Sequence, residues 1–300
     1  MLETEVGGLR LTNPLMPASG ILGGNEGAFE YLAKRAKLGA LVTKSITPEP
    51  RKGYDPPIVV STDCGLVNAV GLSNPGKGII KKLVEVGKRY NLPVIVSIAG
   101  KNEKDFQEVA WEASDAGASA LELNLSCPHA KGMGLELGMD IDMVKRITEA
   151  VATTVDIPVF VKLGYVDKLV ETASKALEVG ASGLTLINTL RAMVIDVDAM
   201  KPVLSNKVGG LSGRAIHPIA VRAVYEVYKE TKAPIIGVGG VYTWRDAVEL
   251  ILAGASAIQI GTALVDEGPK VFSEVSAGIA WWLKSKGFKT LKEAVGLAVE

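Results

Sequence analysis

Two cysteines, two histidines and 5% aromatic residues leave this 300-residue chain short of the groups on which many folds and chemistries depend. Cys64 and Cys127 argue against a disulfide framework and against a four-cysteine zinc or iron–sulfur centre, and so point to a reducing compartment. His129 and His217 are too few and too far apart in sequence to mark a metal site, and none is expected. Net charge is also missing. Thirty-three basic residues balance thirty-three acidic ones, so there is no electrostatic footprint for nucleic acid or an anionic membrane. No run approaches the roughly 18 to 20 apolar residues of a membrane span, and the N-terminus lacks the basic and apolar regions of a signal peptide, so a cytoplasmic protein is expected. G-x-S-x-G and H-E-x-x-H are absent, which counts against hydrolases, and no intact G-x-G-x-x-G follows an early strand.

What is present is alternation. Residues 3–15 read as a hairpin around Gly7-Gly8. Apolar strand patterns then recur at 40–45, 65–68, 93–100, 120–124, 158–162, 183–188, 234–240 and 257–261, with amphipathic helices between them. Eight such pairs predict an α/β fold, a (β/α)8 TIM barrel forming a single domain over 1–300, with the hairpin at its N-terminus and long active-site loops. The alternative is a doubly wound open sheet, against which the missing dinucleotide fingerprint counts. The stretch Thr47–Pro57 carries four prolines and cannot be regular structure; a lid over a site is the functional reading of such a loop.

In a barrel the C-terminal strand ends open onto one face. Here they carry Lys44, Asn68, Ser97, Asn124, Lys162 and Asn188. Lysines supply charge and donors, whereas amides both donate and accept, so the set suits a planar anionic ligand with carbonyl and ring N–H groups. Gly239-Gly240 and Gly261-Thr262 follow the last two strands, where barrels bind phosphate, although glycine there is also an ordinary turn residue. Ser19, in the small-residue turn Pro17–Gly20, is either a plain loop residue or a further cofactor contact. Cys127, just past the strand that ends at Asn124, is either an inert small side chain or a proton-transferring thiol; Pro128 and the glycine-rich Lys131–Gly134 favour the second. Cys64 reads as structural, and Trp281-Trp282 as packing or a subunit contact.

At Thr43-Lys-Ser45, Asn68–Leu72, Asn124-Leu-Ser-Cys-Pro128, Val161-Lys162, Asn188-Thr189, Gly209–Gly213, Gly239-Gly240 and Gly261-Thr262 the chain resembles the class 1 dihydroorotate dehydrogenases, a likeness running from Leu9 to about Val265. The resemblance implies a flavin mononucleotide (FMN) enzyme that oxidises dihydroorotate to orotate in pyrimidine biosynthesis. It implies flavin contacts from Ser19, Lys44, Ser45, Asn124, Lys162, Ile187, Gly213, Gly239, Gly240, Gly261 and Thr262. Substrate would be held by Lys44, Asn68, Ala69, Val70, Gly71, Leu72, Asn124, Asn188 and Thr189, and Cys127 would be the base. Two positions depart from the family pattern: Ser97 stands where asparagine is common, and His129 follows Cys127-Pro128 where asparagine is usual.

Cys127 in place of a serine base argues against the membrane-bound class. Asn188-Thr189 resembles the B type, in which an iron–sulfur flavoprotein subunit carrying FAD and a [2Fe-2S] cluster passes electrons to NAD, around a homodimeric core. The alternatives are the fumarate-using homodimer, another FMN barrel of the dihydropyrimidine or dihydrouridine type, and a non-redox phosphate-binding barrel.

Overall fold

The computed structural model describes residues 1–126 and 135–300; Cys127, His129 and the glycine-rich loop at 131–134 lie outside them. Eight parallel strands form the central sheet. In chain order they are β1 (Leu15–Pro17), β2 (Leu41–Val42), β3 (Val94–Ile98), β4 (Ala120–Asn124), β5 (Val159–Leu163), β6 (Gly183–Leu186), β7 (Ile235–Val238) and β8 (Ala257–Ile260). Each strand from β2 to β8 pairs with its predecessor or successor, and β8 pairs with β1 through Ile258 and Leu15. The ring is completed just ahead of β2, where the Gly39 N–H donates to the Leu15 carbonyl at 2.8 Å. Only glycine fits there, since a Cβ on Gly39 would fall 1.7 Å from the Asn13 carbonyl oxygen.

Helices follow the strands in turn: α1 (Glu26–Arg35), α2 (Ile80–Arg89), α3 (Glu103–Ala116), α4 (Ile141–Ala152), α5 (Leu169–Glu178), α6 (His217–Thr231), α7 (Trp244–Ala253) and α8 (Lys270–Ser285). Their ends carry the expected signals: the Asn102 side chain accepts from the Asp105 N–H at the start of α3, and Gly117 closes that helix in the left-handed conformation. This is the (β/α)8 barrel that the alternation predicts.

The period-2 side-chain alternation of each strand separates two cores. Val94, Val96 and Ile98 of β3, with Val159, Val161 and Leu163 of β5, face outward and join helix residues such as Phe106, Val109, Val144 and Ile147. The intervening Ile95 and Phe160 face inward, with Met16, Ala120, Ile236 and Ala257 from other strands. That inner layer meets Val6, Leu9 and Leu11 of the N-terminal hairpin, Thr4–Val6 paired antiparallel with Leu9–Leu11, which closes the barrel floor. Full burial of one such side chain, Phe160, contributes on the order of 2 kcal/mol. The next inward layer is polar, with Ser97, Glu122, Lys162 and Gln259 all buried, and it leads up to the mouth.

Two expectations about strands are corrected. Gly65–Asn68 is not a barrel strand. It pairs antiparallel with Val59–Thr62 and Gly209–Ser212 in a four-stranded sheet completed by Leu190–Ala192. The barrel strand in its stead is β1, whose Leu15-Met-Pro segment looks like the end of the hairpin. A buried three-residue strand shows no periodicity of its own, whereas Gly65–Asn68 has the apolar look of a core strand because its sheet is half-covered.

Candidate active site

The barrel mouth and the antiparallel sheet enclose a cavity of 340 Å³. Of the flavin, substrate and base residues expected from the sequence, all but Ala69 and Cys127 line it. Cys127 is outside the described residues. Ala69 does not line it and is buried instead in a small cluster with Val67 and Leu204, although its neighbours Asn68 and Val70 do line it. Asn68 reaches the cavity from above, from that sheet, and not from a barrel strand end; its side chain donates to the Gly210 carbonyl at 3.2 Å.

A line of hydrogen bonds crosses the mouth. Asn124 Nδ2 donates to Ser45 Oγ at 2.8 Å, and Ser45 Oγ lies 3.3 Å from Ser19 Oγ and 3.0 Å from Ser97 Oγ. The carbonyl oxygen of the Asn124 amide accepts from the Ser126 hydroxyl at 2.8 Å, and Ser126 Oγ in turn accepts from Asn188 Nδ2 at 2.8 Å. Asn188 Oδ1 accepts from the Thr189 N–H at 2.8 Å. Ser97 therefore acts on the cavity only through Ser45, which it holds from below. Ser126 ties two of the expected asparagines together, a role that nothing in its local sequence signals.

The two lysines are in different states. Lys162 is buried, and its ammonium donates to Glu122 Oε1 at 3.3 Å and to Gln259 Oε1 at 3.0 Å. Lys44 has no carboxylate partner among the described residues, and burial pushes its pKa below the ordinary lysine value. It is thus a half-buried cation facing a cavity, a site for an anion. Glu122 and Gln259 escaped the sequence reading, although a polar residue at an inward position of an apolar strand is a visible signal.

Gly213, Gly239 and Gly240 also line the cavity, with positive φ values of 99°, 139° and 64°. A Cβ on Gly240 would fall 2.7 Å from the Gly213 carbonyl oxygen. The N–H groups of Gly239 and Gly240 donate to no described residue, so this glycine cradle has free donors for an anion such as phosphate. Thr262 Oγ1 donates to Ser212 Oγ at 2.8 Å beside it. Tyr242 lines the cavity too; its hydroxyl donates to Asp266 Oδ2 at 2.6 Å, the Arg214 guanidinium stacks 3.9 Å from its ring, and burial together with Asp266 pushes the phenol pKa up.

The family model for dihydroorotate dehydrogenase matches residues 1–283. The chain belongs to the dihydroorotate dehydrogenase family. It is an oxidoreductase, and the family reaction is dihydroorotate oxidation in pyrimidine biosynthesis, dependent on FMN. A relative from Aeropyrum pernix, provisionally named dihydroorotate dehydrogenase A (fumarate), is 52% identical over 99% of this chain and 97% of its own length. Relatives from Pyrococcus furiosus and Pyrococcus horikoshii, both named dihydroorotate dehydrogenase B (NAD(+)), catalytic subunit, are 48% and 47% identical, over 99% and 100% of this chain and 98% of their own lengths. Among the described residues no helix is long and apolar enough to cross a membrane.

Proposed function

We propose that the cavity holds FMN and dihydroorotate together, with Lys44 binding the substrate carboxylate and Cys127 acting as the base. The observation that carries this reading is the pairing of a half-buried lysine that has no carboxylate partner among the described residues with amide side chains around one small cavity. Residues present fit the flavin as well: the cradle at Gly213, Gly239 and Gly240, with Thr262, suits its phosphate, and Lys162, Ser45 and Ser19 lie on the remaining wall.

The bound flavin would supply the two-electron acceptor. The chain's own residues do the rest. Lys44 anchors the carboxylate by charge. Asn68, Asn124 and Asn188 can each donate and accept, which matches a ring of alternating carbonyl and N–H groups and fixes its orientation. The Cys127 thiolate takes the proton from carbon 5 as hydride leaves carbon 6, so the C5–C6 single bond becomes a double bond and Sγ ends protonated. The Lys162 ammonium faces the negative charge that arrives with the hydride. Gly71, Leu72 and Val70 close the cavity from the loop side and exclude water.

For the electrons that leave, we infer the B-type route to NAD through a partner subunit carrying FAD and a [2Fe-2S] cluster, in line with the names of the Pyrococcus relatives. The Aeropyrum relative favours the second reading, direct reoxidation by fumarate. The test is the visible spectrum of the purified chain without oxygen. Flavin bands that bleach on adding dihydroorotate support the half-reaction, and recovery on adding fumarate alone would decide for the second acceptor. Bands that stay unbleached would overturn the substrate assignment, and a colourless chain that takes up no FMN would overturn the flavin reading.

A further inference from the structure

Beneath the cavity, three polar side chains from three strands form a closed triangle. Lys162 of β5 donates to Glu122 of β4 at 3.3 Å and to Gln259 of β8 at 3.0 Å, while Gln259 Nε2 donates to Glu122 Oε2 at 2.6 Å. Glu122 and Gln259 are fully buried and Lys162 is 3% exposed. The amide orientation of Gln259 follows from its neighbours: an ammonium has only donors and a carboxylate only acceptors, so Oε1 must face the lysine and Nε2 the glutamate.

Two hydrogens of the Lys162 ammonium are thereby engaged. The third has no described partner, and the lysine lines the cavity. Burying an ion pair costs desolvation that apolar side chains of similar volume would avoid, so stability alone does not account for the pair. A lone buried cation would have a simpler effect on a bound flavin: it would favour the reduced ring and hold electrons there. A carboxylate at salt-bridge distance offsets that pull, leaving the lysine as a directed donor with little net charge behind it.

We infer that Glu122 and Gln259 are positioning residues that fix the Lys162 ammonium toward the flavin and, through Glu122's charge, hold down the reduction potential of the bound FMN so that electrons can leave as well as enter. This rests on the flavin reading above. Glu122 acts through Lys162 and touches no reacting atom.

The test is the midpoint potential of the bound FMN, read from its absorbance against a reference dye. Glu122→Gln keeps the shape and removes the charge, and is expected to favour flavin reduction about tenfold, an upward shift of about 30 mV for a two-electron couple. In a Lys162→Met background the same change is expected to move the potential much less, because the residue through which it acts is gone. Should Glu122→Gln not fold, Glu122→Asp, one methylene shorter, is expected to shift the potential the same way by a smaller amount. A wild-type chain that binds FMN and bleaches with dihydroorotate, yet whose potential is unmoved or lowered in Glu122→Gln, overturns this inference alone. An equal rise with and without Lys162 also overturns it. A chain that takes up no FMN overturns the flavin reading and this inference with it.

Discussion

Asn124 and Ser45 lie 79 residues apart in sequence and 2.8 Å apart across the barrel mouth, and the amide that donates to Ser45 also accepts from Ser126 on its other side. Truncating it leaves the buried Ser126 hydroxyl without its acceptor and removes one donor from Ser45, which keeps Ser19 and Ser97. Asn124→Ala is expected to lose about 1–3 kcal/mol of stability by urea unfolding. Its kcat/KM for dihydroorotate should fall as well, since Asn124 lines the cavity and the Ser126 hydroxyl that accepts from Asn188 would lose the acceptor that orients it.

Cys127→Ala is expected to slow flavin bleaching by dihydroorotate about 10²–10⁴-fold, the range of a removed general base. FMN content should stay at the wild-type level. Cys64, which is exposed, serves as the control, and Cys64→Ala should bleach at the normal rate. Rapid mixing without oxygen measures both.

Lys44 gives a pH dependence of defined sign. Burial disfavours its ammonium, so its proton leaves at a pH below the ordinary 10.5. Orotate affinity should be full at neutral pH and fall as pH rises through that lowered value, because the bound anion needs the charge. Stability follows the opposite course. The cost of burying the charge is present in full below the lowered pKa and is relieved as pH rises from it toward 10.5. Titration of the oxidised protein with orotate between neutral and alkaline pH checks the first statement, and Lys44→Met should bind weakly with no alkaline limb.

Gly240 has φ 64° and no room for a side chain: a Cβ there would sit 2.7 Å from both the Gly213 carbonyl oxygen and His217 Cβ. Gly240→Ala is expected to weaken FMN binding at least about tenfold, the equivalent of about 1.4 kcal/mol, as measured by quenching of flavin fluorescence. Gly78 has ordinary φ and open space around it, so Gly78→Ala should leave FMN affinity unchanged.

Much of this protein is legible in one dimension. Seven of the eight alternations, the floor hairpin at Gly7-Gly8 and the strand-end residues Lys44, Asn124, Lys162 and Asn188 follow from local patterns, since side-chain period and glycine placement act over a few residues. The resemblance added Ile187, Val70 and Leu72, which no pattern singled out, and the cavity includes them.

Pairing is not legible. Gly65–Asn68 and Leu15–Pro17 exchange roles because a strand's partner is chosen by the whole barrel, and short buried strands look alike locally. The same applies to the triangle of Glu122, Lys162 and Gln259, whose members are up to 137 residues apart. Composition and period determined that this chain closes into a barrel with its polar strand ends at one mouth. Only the tertiary structure decided which lysine is neutralised by a buried carboxylate and which faces the cavity without one, because charge pairing depends on distances through space that no spacing along the chain encodes.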